Sequence, residues 1–153
     1  MCLICERIEA IQQNENPYFV KELTTGYVVI GDHQHFKGYT LFLLKQHVTE
    51  LDQLSRDTRN LHLAEMADVS EAVKRAFGAD KMNCELLGNG DAHVHWHLFP
   101  RRQGDLGAYG HHGRGPVWWY PMDQMFHQNN LVQPDELENL KIKLKKTLDE
   151  MVI

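Results

Sequence analysis

Cysteine is scarce in this chain. Cys2, Cys5 and Cys84 are the three among 153 residues, too few and odd in number for a disulfide framework. Long apolar runs are missing too: none approaches the roughly 18–20 residues of a membrane span, and the first thirty residues hold no basic segment followed by an apolar stretch. A cytoplasmic location with no membrane partner is the resulting expectation. Basic charge is also short. Sixteen Lys and Arg against 21 Asp and Glu leave a net charge of -5, which excludes the broad basic surface of a general nucleic-acid binder and confines any anionic ligand to a local positive site. No internal repeat or low-complexity segment occurs. The length suits one domain with a real core and not two, so residues 1–153 are expected to form a single domain.

Histidine, by contrast, is plentiful, and three of the ten stand in the run His93-Val94-His95-Trp96-His97-Leu98-Phe99. Strict alternation of imidazole with Val, Trp and Leu has period two, so a β-strand here places the histidines on one face and the apolar side chains on the other. Imidazoles two apart on a strand lie roughly 6–7 Å from each other at a rise of about 3.3 Å per residue. Such a face can bind a transition metal, act as a general base or attack phosphorus, and the residues alone leave all three open.

The remaining elements follow from periodicity and turn chemistry. Leu3, Ile4, Ile8 and Ile11 predict a short amphipathic helix over residues 2–12. Tyr18–Leu23 and Tyr27–Ile30 predict a hairpin about Thr24-Thr25-Gly26, and Tyr39–Lys45 a central strand covered on both sides. A long helix runs from about Glu50 to Phe77, broken near Ser55. Met82–Leu87 and Ala92–Phe99 are expected to be antiparallel neighbours joined by a tight turn at Gly88-Asn89-Gly90-Asp91. Residues 103–133, rich in Gly and Trp, are expected to form an ordered loop packed on the domain or on a second subunit. Pro134-Asp135-Glu136 opens a C-terminal helix with apolar Leu137, Leu140, Leu144, Leu148 and Met151. The fold class is therefore α+β: about five antiparallel strands, a long helix packed on them and a C-terminal helix. Cys84, among apolar residues, reads as a small buried hydrophobe. Cys2-x-x-Cys5 is a metal or redox spacing. Arg101-Arg102 could draw a polyphosphate by bidentate pairing or form a solvated strand end.

Residues 93–99 resemble the motif of the histidine triad (HIT) family, His-φ-His-φ-His-φ-φ with φ apolar, at all seven positions. Gly38-Tyr39-Thr40-Leu41-Phe42-Leu43-Leu44-Lys45-Gln46-His47 is similar to the family's Gly-His-Thr-Leu-φ-φ-Pro-Lys-x-His segment, with Tyr39 for the His and Leu44 for the Pro. Cys2-Leu3-Ile4-Cys5 resembles the start of many bacterial members. The likeness spans residues 1–102, and residues 103–153 carry no family motif.

The resemblance implies a HIT-like fold paired into a homodimer, and a nucleotide hydrolase acting at the α-phosphate of an AMP-type ligand. A dinucleoside polyphosphate such as diadenosine tetraphosphate is the first substrate expected and an adenosine phosphoramidate the second. His95 would attack phosphorus to form a nucleotidyl-histidine, His97 would contact the phosphate or leaving oxygen, and His93 would position the nucleophile through its carbonyl. No cofactor is required for that chemistry. Asp32 would bind ribose hydroxyls and Asn83 would touch phosphate or ribose. Gly88-Asn89-Gly90 replaces the usual Gly-Gln-Ser/Thr, so backbone amides would hold the phosphate. By the same resemblance a structural zinc would join Cys2 and Cys5 to His47 and His93. Two rival readings stand beside this one: a nucleotide-binding or sensor protein with little activity, and a zinc-dependent hydrolase whose triad holds the metal.

Overall fold

Tyr27-Val28-Val29-Ile30 and Leu41-Phe42-Leu43-Leu44 carry apolar side chains toward both faces, and only an interior position in a sheet covers both. The computed structural model, which describes residues 1–107 and 113–151, places them there. Strands β1 (Phe19–Glu22), β2 (Gly26–Ile30), β3 (Thr40–Leu44), β4 (Lys81–Glu85) and β5 (His95–Arg101) form one antiparallel sheet in the order β1-β2-β3-β5-β4. The α+β architecture expected from the sequence is what forms.

Alternation along the strands divides the core in two. On one face, Val28, Ile30, Phe42, Trp96 and Leu98 pack against helix α2 (Arg56–Phe77) through Val69, Ala72 and Val73, and against the C-terminal helix, here α4 (Pro134–Glu150), through Leu137, Leu144 and Leu148. On the other, Tyr27, Val29 and Leu43 receive Ile4, Ile8 and Ile11 of α1 (Leu3–Gln12). Helix α2 starts where the sequence was expected to break: the Ser55 hydroxyl accepts from the Thr58 amide at 3.2 Å and caps it. Among the described residues no helix is long and apolar enough to cross a membrane.

Part of the segment 103–133 is an ordered cover on the α1 side of the sheet. Two 3-10 turns, Val117–Trp119 and Gln128–Asn130, flank the short helix α3 (Met122–Met125). Leu106, Val117 and Met125 pack with Phe36, Tyr39 and Phe99 of the same chain. Backbone bonds from Gln34 N to Asn130 O (2.7 Å) and from Val132 N to Asp32 O (3.0 Å) fasten this cover beside β2. His111 and His112 lie outside the described residues.

Three expectations are corrected. Strands β4 and β5 do pair antiparallel, but their ladder ends at Glu85 opposite His97, and residues 86–94 intervene rather than a tight hairpin. The physical reason is competition: Val94 accepts from Leu44 N at 3.2 Å and donates to Val48 O at 2.9 Å, so the chain before β5 follows the β3 side instead. His93 consequently precedes the strand, although its side chain still lies on the α1 side of the sheet, against Cys2 and Cys5. Cys84, on edge strand β4, is exposed, with its sulfur 3.2 Å from the Ser70 hydroxyl.

Candidate active site

Residues of one face of β5 meet the start of α1, the 87–91 turn and the cover segment around a cavity of about 400 Å³, a size suited to a small-molecule ligand. His95 and His97 line it, with ring centroids 4.9 Å apart. Each is held at one nitrogen. His95 Nδ1 lies 2.6 Å from the carbonyl of His93, and only a protonated Nδ1 can bond to a carbonyl, so Nε2 keeps its lone pair. His97 Nδ1 lies 2.6 Å from the Tyr39 hydroxyl. Burial, then the neighbouring His95, pushes His97 down to about 3, and burial raises the Tyr39 phenol well above its usual range. Both groups are therefore neutral over the physiological range.

His93 serves a different centre. Its Nε2 donates to the Leu44 carbonyl at 2.7 Å, which leaves Nδ1 unprotonated and aimed at the cysteines. Cys2 Sγ is 3.6 Å and Cys5 Sγ 3.5 Å from His93 Nδ1, and Cys5 Sγ is 3.1 Å from His47 Nδ1. All four donor atoms lie within 4.8 Å of one another. A tetrahedral zinc with bonds of about 2.3 Å to sulfur and 2.0–2.1 Å to nitrogen sets sulfur and nitrogen roughly 3.6 Å apart, so this Cys2His2 set fits zinc. Cys2 is also the N-cap of α1, where its sulfur accepts from the Cys5 amide. The geometry does not favour the triad as a metal centre, because both ring nitrogens of His93 are engaged elsewhere, by the Leu44 carbonyl and by the cysteines.

Asp32 lies in the cavity wall, bound by Arg7 through two parallel contacts of 2.9 Å each. Gly88, Asn89 and Gly90 also line the cavity. Gly88 has φ +77, a conformation that side chains strain to adopt. No atom lies within 4 Å of where a Gly90 Cβ would sit, so the missing hydroxyl there is a chemical difference and not a steric one. Asn83 does not reach the cavity lining; on β4 its side-chain oxygen accepts from Arg101 at 2.9 Å. Arg101 also bonds Asp105 at 2.6 Å, and Arg102 donates to the carbonyls of Phe77 (2.6 Å) and Lys37 (3.0 Å). The arginine pair thus ties the strand end together and does not line the cavity.

Sequence reasoning missed four contributors. In the sequence Arg7 stands only as part of a helix, Tyr39 only as a motif departure, and Trp118 only as part of the Gly- and Trp-rich loop. Trp118 in fact lies over His97, with centroids 4.4 Å apart. Glu85 holds it there: its carboxylate accepts from the backbone N–H groups of Val117 and, at 3.1 Å, of Trp118. Only the alternation on β3 could have hinted at any of these, since Tyr39, Leu41 and Leu43 share the face of His97 and His95.

Comparison with known proteins agrees with this geometry. No curated protein matches the chain. Solved structures do: a histidine triad protein from Bradyrhizobium japonicum has TM-score 0.70 at 23% identity, covering 85% of this chain and 89% of that one. One from Marinobacter aquaeolei has TM-score 0.68 at 24% identity over 86% and 88%. A zinc-bound histidine triad family protein from Mycobacterium smegmatis has TM-score 0.64 at 20% identity over 99% and 95%. These likenesses show the fold. The HIT domain model matches residues 18–104, more than half of the chain, and on that match the chain belongs to the HIT domain family.

Proposed function

We propose that this protein is a nucleotide hydrolase that attacks the α-phosphorus of a nucleoside phosphate with His95 Nε2. The observation that carries the reading is the 2.6 Å bond from His95 Nδ1 to the His93 carbonyl, which leaves the unprotonated Nε2 as the nucleophilic atom of a cavity-lining ring. The backbone of Gly88-Asn89-Gly90 cradles phosphate oxygens, and Asp32, oriented by Arg7, receives ribose hydroxyls. His97 meets the leaving oxygen. Attack forms a phosphorus–nitrogen bond as the leaving group departs; water then displaces the imidazole and releases AMP. One hard displacement becomes two easier ones.

Cys2, Cys5, His47 and His93 would hold zinc. The ion would tie the start of α1 to the ends of β3 and of the segment before β5, and so fix the carbonyl that orients His95. That the similar Mycobacterium smegmatis protein is zinc-bound supports this reading. The resemblance also supports a homodimer in the cytoplasm.

Intact-mass spectrometry after an acid-free quench with diadenosine tetraphosphate tests the mechanism. The expected result is an adenylyl mass on wild type and none on His95→Ala. Bound nucleotide with neither adduct nor turnover, across several substrates and fast time points, would transfer the reading to a nucleotide sensor. Native spectra of the same sample are expected to carry one zinc per chain.

A further inference from the structure

The bond between Tyr39 and His97 has a direction. The Tyr39 side chain is buried, and among the described residues its hydroxyl has no hydrogen-bond partner other than His97 Nδ1 at 2.6 Å. A phenol donates well and accepts poorly, whereas an unprotonated imidazole nitrogen accepts well. With the phenol donating, Nδ1 of His97 holds a lone pair and the single proton of the neutral ring sits on Nε2. His95 is arranged the opposite way, with its proton on Nδ1. Two adjacent rings thus offer the cavity one lone pair and one N–H.

The surroundings hold this arrangement in place. Tyr39 stacks on Phe99 with centroids 4.5 Å apart, and a Cβ at Gly31 would fall 2.2 Å from the tyrosine ring, so glycine makes room for it. Trp118 covers the other side of His97. The titratable groups around His97 are Tyr39 just before β3, His95 on its own strand and Glu85 across on β4, whose carboxylate is engaged by the Val117 and Trp118 amides. Among the described residues no carboxylate is hydrogen-bonded to the His97 ring.

We propose that Tyr39 is a positioning residue that locks His97 as a neutral Nε2–H donor, and that this selects nucleotides whose leaving group departs as an anion. Nucleoside 5′-polyphosphates fit that class; phosphoramidates of alkyl amines, whose nitrogen must gain a proton to leave, fit poorly. The inference rests on the α-phosphorus reading and names its substrate class. In the step, His95 Nε2 bonds to the α-phosphorus while the bond to the bridging oxygen breaks. The leaving polyphosphate takes that electron pair as an oxyanion and accepts a hydrogen bond from His97, which keeps its proton. Water then attacks phosphorus, the electron pair returns to His95 Nε2, and the proton lost by the water passes to solvent.

Two measurements on the full chain test this. In histidine-labelled protein, two-bond proton–nitrogen correlation spectra are expected to show His97 as the neutral Nε2–H tautomer and His95 as Nδ1–H at pH 7. Tyr39→Phe, which preserves the stack, is expected to lose the single His97 tautomer. In wild type, kcat/KM for diadenosine tetraphosphate should exceed that for an adenosine N-alkyl phosphoramidate by about 100-fold, the scale of general-acid catalysis. Tyr39→Phe should narrow that ratio about 10-fold, because the ring proton can then move to Nδ1 and Nε2 no longer donates to the departing oxyanion. An Nδ1–H or imidazolium His97 in wild type, or turnover with a ratio that Tyr39→Phe leaves unchanged, overturns the role of Tyr39. Absence of turnover and adduct with both substrates overturns the hydrolase reading and the selectivity with it, while the spectra still decide the tautomer.

Discussion

His62, on α2, and His97, on β5, lie at opposite faces of the same sheet, both buried and both pushed far below ordinary histidine, to about 4 and about 3, chiefly by burial. Their surroundings differ in one respect. Trp96 Nε1 donates to His62 Nε2 at 3.1 Å, so Nδ1 carries the proton and donates to the Thr25 hydroxyl at 2.9 Å, and that hydroxyl donates to Glu65. Glu65 also accepts from the Thr24 and Thr25 amides at 2.9 Å each. Every polar atom of His62 is engaged, and the network clamps α2 to the β1–β2 turn. Among the described residues His97 has one nitrogen committed to Tyr39 and the other without a partner beside a cavity. Low basicity and burial therefore do not separate a functional histidine from a structural one; an uncommitted ring nitrogen at a cavity does.

Paired alanine substitutions would break the comparison most sharply. His95→Ala on the cavity face is expected to lower turnover of diadenosine tetraphosphate by roughly 10⁴-fold or more while AMP binding and the urea midpoint persist. His62→Ala on the other face is expected to do the reverse. It leaves the Thr25 hydroxyl and the Trp96 N–H without their partner and opens a void beside Phe42, whose ring stacks on His62 at 4.9 Å. Destabilisation of about 2–4 kcal/mol should result, read by urea unfolding, with kcat per folded molecule retained.

Acid sharpens the contrast next. The unfolded chain protonates its histidines near pH 6.5, but His62 and His97 resist protonation in the folded state down to about 4 and about 3. Between those values the unfolded state binds more protons, so their contribution to stability is fully present above about pH 6.5 and is lost as pH falls. The urea midpoint is expected to drop between pH 7 and pH 5. His62→Gln should make that drop smaller, and an equal drop in the variant would deny His62 its share.

The smallest effect concerns the cover. Trp118→Ala removes the indole from beside His97 and from the cavity wall, and should raise KM for the nucleotide about 3- to 10-fold with kcat changed less, as loss of one apolar contact predicts. A kcat loss exceeding the KM rise would show that Trp118 positions His97 for the chemistry instead.

How much of this was legible in advance varies with the range of the interaction involved. Alternation in His95-Trp96-His97-Leu98 announces one chemical and one core face because period two is a property of any strand. Helices α1, α2 and α4 announce themselves by apolar spacing and by Ser55 and Pro134 at their starts. The Asn89-Gly90 signal was misleading, since two backbone bonds from Val94 to the β3 side outweighed a local turn preference. Cys84 was misread because an apolar neighbourhood in sequence says nothing about an edge strand. Tyr39 was visible only as a departure from a motif.

The sequence by itself determined the α+β fold, the family and the presence of histidines at the site, because these rest on local periodicity and a contiguous motif. Tertiary structure alone decided which nitrogen of each histidine is free. It sent His93 to Cys2 and Cys5, His62 to Trp96 and Thr25, and His97 to Tyr39. Those partners lie 34 to 91 positions away along the chain. A ring's tautomer follows from the atom packed against it, and no local rule specifies that atom.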